Sequence, residues 1–159
     1  MYICVLKYRN AFIKMSRVFH ISEAASIAMH TMACIAITGR KLRAHELGRI
    51  TGFSKSHIAK VLSMLVRAGL LESERGPQGG FYLARAASSI SLLEVYEAVE
   101  GRLDVDPCQV PCPFCEAVGC LTGGFAPRFN REFKSYMSAR KLSDFQDNKT
   151  KIEPQNYTK

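Results

Sequence analysis

Residues 44–84 read AHELGRITGFSKSHIAKVLSMLVRAGLLESERGPQGGFYLA, and this stretch decides the fold. Two amphipathic segments are separated by Gly52, and two short apolar runs then flank the glycine-rich segment 75–80. A helix, a tight turn with glycine and a second helix form the pattern of a helix-turn-helix. Two short strands joined by a glycine-rich connection form a hairpin. Because a hairpin directly after a helix-turn-helix is a wing, the stretch predicts a winged helix-turn-helix.

Capping residues set the boundaries of the predicted helices. Ala44 to Thr51 forms the short first helix of the motif, and Ser54 is the N-cap of the second helix, residues 55–68. The second helix has four apolar residues at the i, i+3, i+4, i+7 spacing of one buried face: Ile58, Val61, Leu62 and Leu65. Upstream, residues 22–39 form a further helix with a wide apolar face. Downstream, Ser91 and Glu94 form a capping box that opens a helix ending at Gly101.

The whole chain of 159 residues divides into five predicted segments. They are an N-terminal extension (1–14), the winged helix-turn-helix domain (15–101), a cysteine-rich loop (102–124), a long C-terminal helix (125–146) and a flexible tail (147–159). The C-terminal helix carries a narrow stripe that includes Phe129, Phe133 and Tyr136 and extends to Leu142, and this stripe must be buried against something. The predicted fold class is mainly α with a small β-wing.

The charge is distributed unevenly along the chain. Residues 1–86 hold 13 basic and 4 acidic side chains, whereas residues 87–159 hold 9 basic and 10 acidic ones. The first half, with a net charge of +9, is therefore suited to a polyanion. No apolar run reaches the roughly 18 residues of a membrane span, and no secretory signal precedes the cysteines. We expect a cytoplasmic protein without a membrane partner.

The predicted nucleic-acid contacts lie in the winged half. The N-terminal residues of the second helix of a helix-turn-helix address base edges in the major groove. Arginine at a wing tip fits a minor groove, and nearby cations contact phosphates. The candidate DNA-binding residues are Ser54, Lys55, Ser56, His57, Lys60, Arg75, Gln78 and Arg43, with Arg40, Lys41 and Arg49 as further phosphate contacts. The alternative is a winged helix that binds protein, but the charge of this half favours nucleic acid.

Four of the six cysteines lie within 13 residues, in the pattern Cys108-x3-Cys112-x2-Cys115-x4-Cys120. In a reducing cytosol such a cluster indicates a metal or redox site rather than a disulfide frame. A structural zinc site usually has two Cys-x2-Cys knuckles, and only Cys112 and Cys115 form one. Closely spaced thiols in one loop are more typical of an iron–sulfur cluster. Metal-free redox thiols remain a third interpretation. Cys34, within the first helix, is interpreted as a small buried hydrophobe.

The sequence contains no set of residues typical of an enzyme. There is no phosphate-binding loop of the Walker type and no nucleophile motif, and the four histidines fall at scattered positions. We therefore expect a binding protein.

Two motifs resemble the IscR- and NsrR-type winged-helix transcriptional regulators, the Rrf2 family. They are R-G-P-x-G-G-[FY]-x-L-A at residues 75–84 and I-S-L-L-E-V-x-E-A-V-E-G at residues 90–101. The resemblance extends from about residue 15 to residue 145. It implies a homodimer in which residues 125–146 form the dimerisation helix, which crosses the same helix of the partner subunit. It also implies binding to double-stranded DNA at a palindromic operator. The recognition helix of each subunit, residues 55–68, would lie in one of two successive major grooves.

Many members of this family hold a [2Fe–2S] or [4Fe–4S] cluster on three loop cysteines spaced Cys-x5-Cys-x5-Cys. The resemblance therefore implies Cys108 and Cys120 as the outer ligands, which keep the family's separation. The inner cysteine is displaced by one position, and Cys115 is favoured over Cys112.

The fourth ligand differs from both family patterns. IscR-type proteins use a histidine three residues after the last cysteine, where this chain has Gly123. NsrR-type proteins use a carboxylate from the first helix of the partner subunit, which corresponds to Glu23. Cys112 is the other candidate for the fourth ligand. Family members also often have a glutamate in the recognition helix that filters targets by cluster state, and Ala59 occupies that position.

The resemblance and the residues together predict a DNA-binding transcriptional repressor. Its operator affinity would be controlled by an iron–sulfur cluster that senses redox conditions, nitric oxide or iron–sulfur status. The alternatives are a metal-free cysteine switch and a winged-helix module for protein interaction.

Overall fold

The structure is a computed structural model that describes residues 20–103, 118–119 and 124–151. The N-terminal extension and the four clustered cysteines lie outside the described residues. Within the described ranges the elements follow this order: α1 (Glu23–Thr38), α2 (Ala44–Thr51), α3 (Lys55–Arg67), β1 (Leu71–Glu74), β2 (Gly80–Leu83), a 3-10 turn (Ala87–Ser89), α4 (Leu92–Glu100), α5 (Phe125–Ala139) and a C-terminal 3-10 segment (Leu142–Lys151).

Helix α1 lies in the centre of the fold. Its N-cap is Ser22, whose Oγ accepts a hydrogen bond from the Ala25 N–H at 3.0 Å, and it ends at Gly39, which adopts the left-handed conformation. Nine of its sixteen side chains are buried, because α2, α3, α4 and the C-terminal segment all pack around it. Cys34 is 7% exposed, and burial raises the pKa of its thiol to about 11. This confirms the prediction that Cys34 is a small buried residue.

Helix α3 packs on the core through the predicted apolar face. Ile58, Leu62 and Leu65 are 0% exposed and Val61 is 4% exposed. They join one hydrophobic cluster with α1, α2 and α4. Burying such a side chain contributes about 1.5–3 kcal/mol to folding. The buried face therefore fixes the orientation of α3 and leaves its opposite face to solvent.

The wing is a two-stranded antiparallel sheet in which Leu71 pairs with Leu83 and Glu74 with Gly80. Between α1 and α2, Leu42 forms a single bridge with the wing: the Leu42 N–H donates to the Phe81 carbonyl at 3.0 Å, and the Phe81 N–H donates to the Leu42 carbonyl at 2.9 Å. The wing is thereby held against the segment between α1 and α2. At its tip, a Cβ on Gly79 would lie 2.2 Å from the Glu74 carbonyl oxygen, so only glycine fits this turn.

Helix α4 begins with the predicted capping box. The Ser91 N–H donates to Glu94 Oε2 at 2.8 Å, and the Glu94 N–H donates to Ser91 Oγ at 3.2 Å. Arg85 donates to the other oxygen of Glu94 at 2.6 Å. Partial burial would raise the pKa of Glu94, but these hydrogen bonds outweigh it and hold the pKa below its ordinary value.

The C-terminal helix is shorter than the predicted range 125–146. Helix α5 ends at Ala139, and Leu142 lies not on the helix stripe but in the core, where it is 0% exposed. The Leu92 N–H donates to the Arg140 carbonyl at 2.9 Å, and the Leu142 N–H donates to the Ile90 carbonyl at 3.0 Å. This pairing needs extended backbone, which ends the helix. The predicted boundary at residue 147 also falls inside the 3-10 segment.

The predicted fold class is confirmed: the described residues are mainly helical with one small two-stranded sheet. Over the described ranges, no helix combines the length and the apolar character required to cross a bilayer.

Candidate nucleic-acid interface

The first turn of α3 presents polar side chains to solvent. Ser54 Oγ caps the helix by accepting the His57 N–H at 3.3 Å, and it lies 3.3 Å from Ser56 Oγ. All five residues predicted on this helix are exposed: Ser54, Lys55, Ser56, His57 and Lys60. Since the opposite face is buried, these side chains form one accessible edge of the domain. Such an edge can donate to base atoms and to phosphates.

Helix α1 contacts this edge at two points that the sequence did not indicate. Glu23 Oε1 lies 3.2 Å from His57 Nδ1. Two turns along α1, the His30 ring makes an edge contact with Phe53, with 5.8 Å between ring centroids. The spacing of seven residues puts Glu23 and His30 on one face of α1. The structure thus places Glu23 beside α3, the predicted recognition helix, of its own subunit.

A basic cleft of about 230 Å³ lies between α2 and the wing. Its lining consists of Arg40, Lys41, Arg43, His45, Glu46, Arg49, Gln78 and Gly79. Arg43 Nε donates to the Gly79 carbonyl at 3.3 Å, which joins the start of α2 to the wing tip. The structure therefore brings Arg43 and Gln78, two of the predicted contacts, into one basic cleft.

Two of the predicted phosphate contacts are already paired with carboxylates. Arg40 Nη1 lies 3.0 Å from Glu46 Oε1, and Lys41 forms an ion pair with Glu74. Partial burial would raise the pKa of Glu46, but hydrogen bonds from the Arg43 N–H and from Arg40 outweigh it and lower the pKa. Among the described residues, Arg43, Arg49 and Arg75 form no ion pair. They are the cations best placed for an external anion.

Arg75 lies at the exposed tip of the wing, directly before Gly76, which adopts φ +111°. A positive φ of this size is readily adopted only by glycine, so Gly76 shapes the turn that carries Arg75. The wing thus carries a guanidinium at its tip that has no carboxylate partner among the residues that the structure describes.

The predicted metal ligands Cys108, Cys112, Cys115 and Cys120 lie outside the described residues. In the part of the chain that the structure describes, no three His, Cys, Asp or Glu side chains are grouped as metal ligands. Leu103, the second residue of the loop 102–124, donates its N–H to Glu97 Oε1 at 3.0 Å, and its carbonyl accepts from Lys134 Nζ at 3.1 Å. One end of the loop is therefore fixed to both α4 and α5.

The aromatic stripe of α5 is divided between two surroundings. Phe133 packs edge-on against Tyr96 of α4, with 5.3 Å between centroids, and Met137 is buried in the core. Phe125 is 53% exposed, Phe129 36% and Tyr136 59%. The sequence predicted one continuous surface for the stripe. In the structure, Phe133 packs against α4 of its own subunit, whereas Phe125, Phe129 and Tyr136 lie partly exposed on the outer surface of α5.

The proteins whose sequences resemble this chain are described as transcriptional regulators. The Rrf2 family model, described as an iron-dependent transcriptional regulator, matches residues 21–148. An HTH-type transcriptional regulator of Neisseria meningitidis is 30% identical over 125 residues, which cover 79% of this chain and 84% of the relative. IscR of Escherichia coli is 43% identical over 64 residues, 40% of each protein.

Solved structures give the same fold. CymR of B. subtilis, the global cysteine regulator, superposes with a TM-score of 0.65 at 20% identity and covers 81% of this chain and 97% of its own. T. potens IscR superposes with a TM-score of 0.64 at 16% identity, covering 91% and 96%. An oxidized form of Staphylococcus aureus CymR has a TM-score of 0.63 at 18% identity, covering 81% and 97%.

Proposed function

This chain belongs to the Rrf2 family of transcriptional regulators, and from that premise we propose that it is a homodimeric, DNA-binding repressor in the cytoplasm. Its affinity for a palindromic operator would be controlled by an iron–sulfur cluster in the loop 102–124. The main observation in favour of DNA binding is the exposed polar edge of α3, opposite the face that packs on the core, together with the basic cleft.

The roles of the DNA-binding residues follow from their positions. The first turn of α3, with Ser54, Lys55, Ser56, His57 and Lys60, would address base edges in the major groove. The cleft with Arg43 and Gln78 would hold a backbone phosphate, which positions the domain without reading sequence. Arg75 at the wing tip would enter the adjacent minor groove.

A second copy of the chain is the proposed partner of α5. Phe125, Phe129 and Tyr136 keep a third to more than half of their surface exposed on one described helix. Exposed aromatic side chains of this kind mark interaction surfaces. Packing of α5 against its mate would bury them and set the distance between the two recognition helices.

The donor set of the loop fits an iron–sulfur cluster, because it offers four soft thiol ligands within 13 residues. The proposed ligands are Cys108, Cys115 and Cys120, with Cys112 or Glu23 of the partner subunit as the fourth. When bound, the cluster supplies a cross-link between thiolates that oxidants or nitric oxide can remove.

The described residues suggest how the loop would act on DNA binding. Leu103 at the start of the loop is bonded to Glu97 of α4 and to Lys134 of α5. A change in the loop would therefore alter the contact between the winged domain and the dimerisation helix. A coupling of about 1–3 kcal/mol, or roughly 5–150-fold in operator affinity, is typical of such regulation.

A metal-free thiol switch is the second candidate, favoured by the likeness to CymR, including its oxidized form. In this candidate Cys112 and Cys115 would be the reacting pair. Loss of two electrons to an oxidant such as a peroxide, and of two protons, would join their sulfurs in a disulfide.

The DNA-binding part is tested by titrating labelled duplex over a range of salt concentrations. We expect affinity to fall steeply as salt rises, because each neutralised phosphate releases counterions. Arg75→Ala should weaken binding about tenfold without unfolding the domain. Arg131→Ala, which removes the same charge from an exposed site on α5, is the matched control. An affinity that does not change with salt would instead favour a protein-interaction module. If Arg75→Ala binds duplex as tightly as the wild type, the wing does not contact DNA.

The cluster is tested by anaerobic preparation, with iron and sulfide counts and a visible spectrum. We expect a coloured protein whose absorbance is lost on oxidation. Cys115→Ala should abolish the bound iron, and Cys112→Ala should retain it. The reverse result would assign the ligand role to Cys112 instead of Cys115. A colourless wild-type protein without iron would favour the thiol switch.

A further inference from the structure

The contact between Glu23 and His57 joins the first residue of α1 to the recognition helix. A carboxylate can only accept a hydrogen bond, so the proton of this bond lies on His57 Nδ1. Although the His57 and Glu23 side chains are 58% and 63% exposed, the contact favours one ring orientation and leaves Nε2 as the ring nitrogen for an outside partner. An exposed histidine without this contact would rotate about two side-chain bonds.

The start of α1, which carries Glu23, is held by Ser22. Ser22 caps α1 through the Ala25 N–H and also donates a hydrogen bond to Glu100 at the end of α4. The start of α1 is therefore tied to α4 immediately before the residue that contacts His57. On the same face of α1, His30 is fixed by a 2.7 Å contact between its Nδ1 and the Ser26 carbonyl, and it packs on Phe53.

The backbone of His57 is also fixed. Its N–H donates to Ser54 Oγ, and the next residue, Ile58, is fully buried. With the backbone held by the cap and the ring in contact with Glu23, His57 has a preferred orientation before DNA binds. Such preorganisation lowers the entropy cost of a specific contact.

From this geometry we infer that Glu23 is a positioning residue for sequence recognition, which orients His57 toward one base edge in each half-site. This inference rests on the proposed reading of DNA by α3 and takes Cys112, rather than Glu23 of the partner subunit, as the fourth ligand of the proposed cluster. Glu23 does not touch DNA in it, and its negative charge slightly opposes binding to any duplex. Glu23 therefore increases discrimination between sequences while it lowers general affinity.

The test compares full-length wild type with Glu23→Ala, Glu23→Gln and His57→Ala. The operator is first selected from a random duplex library, and each base pair under the first turn of α3 is then varied. We expect His57→Ala and Glu23→Ala to lose about threefold to tenfold of discrimination at the same single position in each half-site. Glu23→Gln keeps an acceptor for Nδ1–H and should retain discrimination. Both Glu23 variants should bind random duplex slightly more tightly.

The outcomes separate this inference from the proposed function. If the wild type selects no sequence, DNA reading by α3 fails, and the role of Glu23 fails with it. If the wild type selects an operator but Glu23→Ala keeps full discrimination, only the positioning role is overturned. A uniform loss of affinity at all positions in Glu23→Ala, without rescue by Glu23→Gln, would likewise overturn it, because a merely structural role gives that result.

Discussion

Gly79→Ala is expected to disrupt the wing and to weaken DNA binding at least tenfold. The added Cβ would lie 2.2 Å from the Glu74 carbonyl oxygen and 2.8 Å from the Arg75 carbonyl carbon, and both are backbone atoms that no rotamer change can move. The hairpin tip must open, which should cost about 1–3 kcal/mol of unfolding free energy. Opening of the tip would displace both Arg75 and Gln78, and it would break the hydrogen bond from Arg43 to the Gly79 carbonyl.

Urea unfolding and duplex titration measure the two effects of this change. Ser73→Ala, at an exposed position in the same hairpin, is the control and should alter neither quantity appreciably. If Gly79→Ala binds operator like the wild type although its stability falls, the wing does not take part in DNA binding.

Leu62→Ala is expected to lower the free energy of unfolding by about 2–5 kcal/mol. Leu62 is 0% exposed and lies where α3 packs on the central cluster, so its removal leaves a cavity between helices. Because a small domain has a total stability of about 5–15 kcal/mol, this one change removes a large part of it.

Chemical denaturation of full-length protein gives the value. The control, Ser63→Ala, lies one residue further along α3, where the exposed hydroxyl donates to the Ala59 carbonyl of its own helix at 2.9 Å. Its stability should stay within about 0.5 kcal/mol of the wild type. Equal losses in both variants would contradict the assignment of this face of α3 to the core.

The winged helix could be predicted because its signals are local. Glycines 39, 52 and 101 end helices where the sequence placed those ends, and serines 22, 54 and 91 cap the helices that follow. The end of α5 could not be predicted in this way. The apolar spacing continues to Leu142, and only the backbone pairing with residues 90–92 shows that the chain has left the helix.

The candidate site could be predicted in part. The exposed residues of α3 follow from periodicity, since their positions alternate with a buried face. The pairing of Lys41 with Glu74 and of Glu23 with His57 joins residues 33 and 34 positions apart. Such contacts depend on how helices and wing pack, and no short motif encodes them. The division of the α5 stripe between Phe133 and its neighbours has the same origin.

Helix α5 is attached to its own winged domain at two points along the chain. Near its middle Lys134 bonds Leu103, and beyond its end the backbone of Arg140 and Leu142 pairs with Leu92 and Ile90. A helix clamped in this way cannot swivel independently of the domain that carries α3. In the proposed homodimer, a tilt between the two copies of α5 would therefore move each α3 with it and change the distance between the two recognition helices.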